Sequence, residues 1–170
     1  MTIYKQLFEE AIGNYGIVTT KRAREMGIPI IELVKLAHRG RLMRIGYGAY
    51  KLVEYAPAAD GRDMYANALA KVGEGAYLFG PSVLAFYGLC PTDPAHVYVG
   101  LPTKCRRKIE KAITVLDNRP CEESAWHEGL CGQSVLAAIR SSEAMIMSDR
   151  LAAAVSEARR RGLIRKGSRI

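Results

Sequence analysis

Apolar residues recur along this chain at two spacings, and the changes of spacing mark out its elements. Ile3, Leu7 and Ala11 fall at i, i+4 and i+8, which predicts a helix over residues 2–12 with one apolar stripe. Gly13 ends it. Gly16-Ile17-Val18 is a short extended entry, and Thr19 is a good N-cap for a second helix over residues 20–26, closed by Gly27. Pro29 opens a third helix, residues 29–39, from a first-turn position where its missing N–H costs nothing. The helical period turns Ile30, Leu33, Leu36 and Ala37 inward and Glu32, Lys35, His38 and Arg39 outward. Gly40 suits the left-handed residue after the helix. Residues 42–45 and 49–53 then read as two strands joined at Gly46-Tyr47-Gly48, a hairpin.

Residues 55–61, YAPAADG, are loop-like and are the expected domain boundary, giving domains at 1–54 and 62–170. Beyond it the pattern predicts a helix over 62–72, a short strand at 77–79 and a helix from Pro81 to Tyr87. Strands follow at 96–101 and 112–116, with a third candidate at 104–109. A helix is expected over 133–140, and a last one is capped by Ser148 and stopped by Gly162, with Leu151, Ala154, Val155 and Ala158 on its inner face. The expected fold class is α+β: two helices and a basic hairpin in the layout of a winged helix-turn-helix, then a compact α+β domain with a small sheet.

Composition sharpens this picture. Of 170 residues, 49% are apolar, enough for a packed core, and the net charge is +8. No apolar run approaches the roughly 18 residues of a membrane span, and MTIYKQLFEE lacks the features of a signal peptide. A cytoplasmic location is expected, with no membrane partner. Cys90, Cys105, Cys121 and Cys131 form no CxxC pair and read as free, buried thiols.

The charge is clustered in the first domain, and that argues for a polyanionic partner over mere solubility. In a helix-turn-helix the second paired helix enters the major groove. That places Pro29, Glu32 and Lys35 at base edges, with Lys35 donating to guanine and Glu32 accepting from cytosine or pairing with Lys35 or Arg39. Thr20, Lys21, Arg22 and Arg24 open the second helix and suit phosphate. Arg39, Arg41, Arg44 and Lys51 would set the hairpin on the DNA backbone or in the minor groove, with Tyr47 at its tip. A second basic run, Lys104, Arg106, Arg107 and Lys108, is a candidate for further phosphate or partner contact; a third lies at Arg159 to Arg161, Arg165, Lys166 and Arg169. Each run also reads as solvated surface, and the last suits its helix dipole.

Catalytic and cofactor chemistry find little support. Cys121, His127 and Cys131 give C-x5-H-x3-C, looser than structural zinc sites prefer. Gly80-Pro81-Ser82 is not followed by the carboxylate pair a nucleotidyltransferase needs, and Asp117, Glu122 and Glu123 lack a matching Lys for nuclease chemistry. No enzyme activity, metal or cofactor is expected.

Three blocks, in order, carry a resemblance to a known family. They are Gly16-Ile17-Val18-Thr19-Thr20 through Gly27-Ile28; Leu33, Leu36, Gly40 and Leu42 with Arg44 and Gly48-Ala49-Tyr50; and Leu78-Phe79-Gly80-Pro81-Ser82-Val83-Leu84-Ala85, Tyr87-Gly88-Leu89, Val97-Tyr98-Val99 and Pro102. The tail AVSEARRRGL is similar as well. These residues resemble the AbiEi family of type IV toxin–antitoxin antitoxins and related winged-helix transcriptional regulators. The resemblance implies a repressor that binds double-stranded operator DNA in its own operon; no long exposed apolar helix advertises a dimer seam, so a monomer or weak homodimer is expected. The resemblance further implies a second domain that counteracts a nucleotidyltransferase-like toxin. A rival reading makes the chain a toxin-neutralising interaction module with a mainly structural winged helix. Another makes it a nucleic-acid chaperone without operator preference.

Overall fold

A computed structural model describes residues 1–90 and 95–170. The chain is α+β and divides into two compact units, Met1–Glu74 and Gly75–Ile170.

The first unit runs α1 (Ile3–Ile12), β1 (Ile17–Thr19), α2 (Thr20–Glu25), α3 (Ile30–His38), β2 (Leu42–Gly46), β3 (Ala49–Leu52) and α4 (Asp63–Val72). Local chemistry sets the boundaries. Thr2 and Thr19 cap α1 and α2, their hydroxyls accepting from the amides of Lys5 and Arg22. Pro29 is the N-cap of α3, one position earlier than its expected place inside the first turn. The three strands form an antiparallel sheet in the order β1-β3-β2, the arrangement of a winged helix. Leu7, Ala11, Val18, Ala23, Leu33, Leu36, Leu42, Tyr50 and Leu52 share one core between the first three helices and this sheet.

Because β3 is the central strand, it is covered on both faces, and all four of its residues are buried. Tyr50 and Leu52 join the helical core. Lys51, between them, points the other way by strand alternation. Its Nζ donates to Asp63 Oδ2 and Asn67 Oδ1, each at 3.1 Å, and lies 5.3 Å from the centre of the Tyr55 ring. Asp63 and Asn67 belong to α4, so the helix that follows the expected boundary loop folds back onto the hairpin sheet. The first unit therefore extends to Glu74, past the expected division at residues 55–61.

The second unit runs β4 (Tyr77–Leu78), α5 (Pro81–Phe86), β5 (Val97–Gly100), β6 (Ile113–Leu116), β7 (Ser124–His127), β8 (Leu130–Gln133), α6 (Val135–Ser142) and α7 (Ser148–Arg160). Its five-stranded mixed sheet has the order β6-β5-β4-β8-β7. The strand expected at 104–109 does not form: that segment is irregular and links β5 to β6. The apolar pattern does not announce the β7–β8 hairpin, whose two turn residues, Glu128 and Gly129, have φ of 48° and 85°. Such a turn needs two positive-φ residues, and Glu-Gly is a weaker signal for it than Asn-Gly. Ser148 is the first residue of α7 rather than its cap; the N-cap is Met147, without a side-chain hydrogen bond.

Polar groups inside the second unit are matched in pairs. Gln133 accepts from the amide of Gly80 at 2.8 Å and donates to Ser141 Oγ at 2.9 Å. Ser82 Oγ accepts from the Tyr98 amide at 2.7 Å, tying α5 to β5.

Removing one partner of a buried ion pair leaves the other charge uncompensated. Lys51→Ala is expected to lower the unfolding free energy by about 3 kcal/mol in a urea titration, and joint replacement by Lys51→Met and Asp63→Leu to recover most of that loss. A Lys51→Ala protein as stable as the parent would show that the pair does not hold α4.

Candidate nucleic-acid interface

Leu33 and Leu36 anchor α3 in the core, at 0% and 7% exposure. That fixes the helix's rotation and leaves Ile31, Val34, Lys35 and His38 on its outer face, the i, i+3, i+4, i+7 stripe of one side. Lys35 and His38 point outward as expected. Glu32 lies at the edge of that face, half-buried, and accepts from Lys35 Nζ at 2.7 Å. This is the pairing alternative for Glu32, and it holds the Lys35 ammonium against the helix. Pro29 and Arg39 flank the stripe at its two ends, both exposed.

Sequence reasoning missed Ile31 and Val34, which are 54% and 37% exposed. The sequence does contain the signal. With Leu33 and Leu36 inward, a strict 100° step puts Ile31 opposite them, whereas Ile30, one turn before Leu33, is the residue the period turns inward.

The hairpin stands beside α3. Arg44 is exposed, its Nε donating to the carbonyl of Gly46 at 3.2 Å across a bulge between Arg44 and Gly46. Tyr47 occupies the tip at 71% exposure. Arg41 is exposed, and its guanidinium lies 5.3 Å from the centre of the Tyr4 ring. Lys51 is a correction to the expected set: at 8% exposure and committed to Asp63, it cannot meet DNA. Thr20 is half-buried and serves the hairpin. Its amide donates to the Gly48 carbonyl at 2.9 Å, and its Oγ1 would lie 2.8 Å from any Cβ placed on Gly48. Gly48 also has φ of 65°.

The cations of α2 differ in their freedom. Arg22 is bound by Glu10, at 2.7 and 3.1 Å, and by Glu25 at 3.2 Å. The hydrogen bond from Arg22 holds the Glu10 carboxyl below its ordinary pKa, and the same bonds push the Arg22 guanidinium up. Lys21 is paired with Glu74. Arg24 is exposed, with no carboxylate partner among the described residues. Exposed pairs of this kind add little to stability, so a phosphate can compete for Arg22 and Lys21 at little cost.

The other basic runs lie in the second unit. Lys104, Arg106, Arg107 and Lys108 are exposed on the irregular segment before β6. The tail cations are largely engaged: Arg160 with Glu157, Arg161 with the Tyr87 carbonyl, and Arg159 with the Ser168 carbonyl. His127, the weak zinc candidate, is buried, with Nδ1 2.7 Å from Tyr87 Oη and Nε2 2.7 Å from the Gln133 carbonyl. Both ring nitrogens are occupied by these bonds. None of the four cysteines forms a disulfide; Cys90 is buried and the others half-buried. Burial pushes the Cys121 thiol up to about 11, which keeps it protonated and unreactive at neutral pH.

Residues 5–53 match the family described as "Transcriptional regulator, AbiEi antitoxin", a span that runs from within α1 to just past β3. No curated protein matches the chain. Among the described residues, no helix is long and apolar enough to cross a membrane.

A side chain at Gly48 would need both an unfavourable backbone angle and space that Thr20 already fills. Gly48→Ala is expected to cost about 1–2 kcal/mol of stability, measured by thermal unfolding. An unchanged midpoint would show that the hairpin tip accommodates a Cβ.

Proposed function

We propose that the chain, whose residues 5–53 match the AbiEi antitoxin family of transcriptional regulators, is a DNA-binding regulator of the antitoxin type and a sequence-specific repressor of its own operon. The observation that supports this reading most is the exposed outer face of α3 beside a hairpin carrying Arg44 and Tyr47. In this reading α3 enters the major groove, Lys35 donates to a guanine edge, and Pro29 and Glu32 lie along the same groove. Thr20 holds the hairpin in place for it. Arg24, Arg39, Arg41 and Arg44 contact phosphate, with Lys21 and Arg22 released from their carboxylates as DNA approaches. Repression is steric: the occupied operator excludes polymerase. The protein binds as a monomer or weak homodimer, in the cytoplasm, and performs no chemistry on the DNA.

Phosphate neutralisation releases counterions, so affinity falls with salt at a slope of about −0.9 per contact. In gel shifts with the region upstream of its own gene, Arg39→Ala and Arg44→Ala are each expected to weaken binding on every duplex and flatten that slope by about 1. Lys35→Ala is expected to cost about 1–3 kcal/mol on the operator and less on unrelated DNA. Equal affinity of the parent protein for operator and unrelated duplexes, at every salt concentration, would remove the repressor reading and leave that of a chaperone without sequence preference.

The second unit supports a complementary role as the toxin-neutralising part. Trp126 lies in the edge strand β7 and is 75% exposed. An exposed Trp on an unpaired strand edge is the kind of residue that dominates a protein interface. The basic run at Lys104, Arg106, Arg107 and Lys108 offers a second contact surface for an acidic partner. When the full chain is co-expressed with a nucleotidyltransferase-like toxin encoded beside it, Trp126→Ala is expected to abolish protection from toxicity while leaving operator binding unchanged. Full protection by Trp126→Ala would rule out the edge strand as the contact.

A further inference from the structure

The N-terminal half of the outer face of α3 is apolar, and nothing in the proposed set of hydrogen-bonding and phosphate contacts uses it. Ile31 and Val34 sit there at 54% and 37% exposure, each one turn before a polar residue of the same stripe, Lys35 and His38. Two branched apolar side chains held in water beside Lys35 on an otherwise polar face point to an apolar group on the partner. The surrounding charge is cationic: Arg24, Lys35, Arg39 and Arg44 are all exposed. An apolar protein surface would leave those cations unmatched, whereas duplex DNA supplies phosphates for them.

In the major groove one base edge carries an apolar group, the 5-methyl of thymine. Ile31 and Val34 are three residues apart, about 4.5 Å along the helix axis, close to the rise of one base step. We propose that Ile31 and Val34 contact thymine methyl groups, so that the operator carries thymines on neighbouring base pairs under α3, next to the base that Lys35 contacts. This inference rests on the reading of α3 as the recognition helix. It differs in kind from the polar contacts of that reading, because specificity here comes from a methyl group rather than from a donor or acceptor.

Deoxyuridine pairs as thymine does and lacks only the methyl. The full-length protein is used to select duplexes from a random-sequence pool, and the enriched duplex is then prepared with deoxyuridine replacing each thymine in turn. At one or two positions the replacement is expected to weaken binding about fourfold, the value of one buried methyl. Ile31→Ala and Val34→Ala, both at exposed positions and checked for an unchanged thermal midpoint, are each expected to shrink that penalty to less than twofold at their own position. An enriched duplex bound equally well with thymine or deoxyuridine would overturn the methyl contact and leave the repressor reading standing. A penalty that persists in both alanine variants would overturn it in the same way. If no sequence is enriched, both this inference and the sequence-specific reading beneath it fail together.

Discussion

Leu33 has no exposure to solvent, and what α3 can do follows from that. A nine-residue helix has one rotational degree of freedom about its axis, and burying Leu33 with Leu36 removes it. Ile31, Val34, Lys35 and His38 then face outward without any further instruction, and the N-cap at Pro29 and the left-handed Gly40 set where the face begins and ends. The hairpin is placed by the same core, because Leu42, Tyr50 and Leu52 close it from the sheet side. A replacement that loosened Leu33 would move the outer face as a whole, not one contact within it.

The first unit was legible in the sequence wherever a period had one dry side and one wet side. α1, α2, α3 and the hairpin strands fall within a residue or two of their expected bounds for that reason. Lys51 was misread because β3 breaks the assumption: as the central strand it has no wet side, and a buried lysine is indistinguishable from a surface one until its carboxylate is known. The carboxylate, Asp63, lies in a helix beyond an apparent linker. Pro57 and Gly61 in that loop signal a turn, which they deliver, but a turn does not say whether the chain leaves or returns. Here it returns, and an ion pair buried on both sides makes the return specific.

In the second unit the strands β4, β5 and β6 and all three helices show in the apolar pattern, whereas β7 and β8 do not. Ser124 to His127 alternates the wrong way for a simple strand signal, with Trp126 exposed and His127 buried. Apolar outside and polar inside is the reverse of the usual rule. His127 tolerates burial because Tyr87 and the Gln133 carbonyl take both of its ring nitrogens. Trp126 stays in water on the open edge of the sheet, where neither face of the pattern marks it as a strand residue.

Charge, the most visible property of the sequence, turns out to discriminate least. Much of the cationic excess in α2 and α7 is already matched by Glu10, Glu25, Glu74 and Glu157 or by carbonyl oxygens. Such exposed pairs exchange partners cheaply, so they raise affinity for any polyanion without favouring one sequence. Discrimination has to come from groups that a wrong partner would leave worse placed than water does. In the proposed reading those are the few side chains of α3 that the core holds outward and that have least to gain from solvent. The apolar pair in that stripe therefore carries more information about the partner than the net charge does.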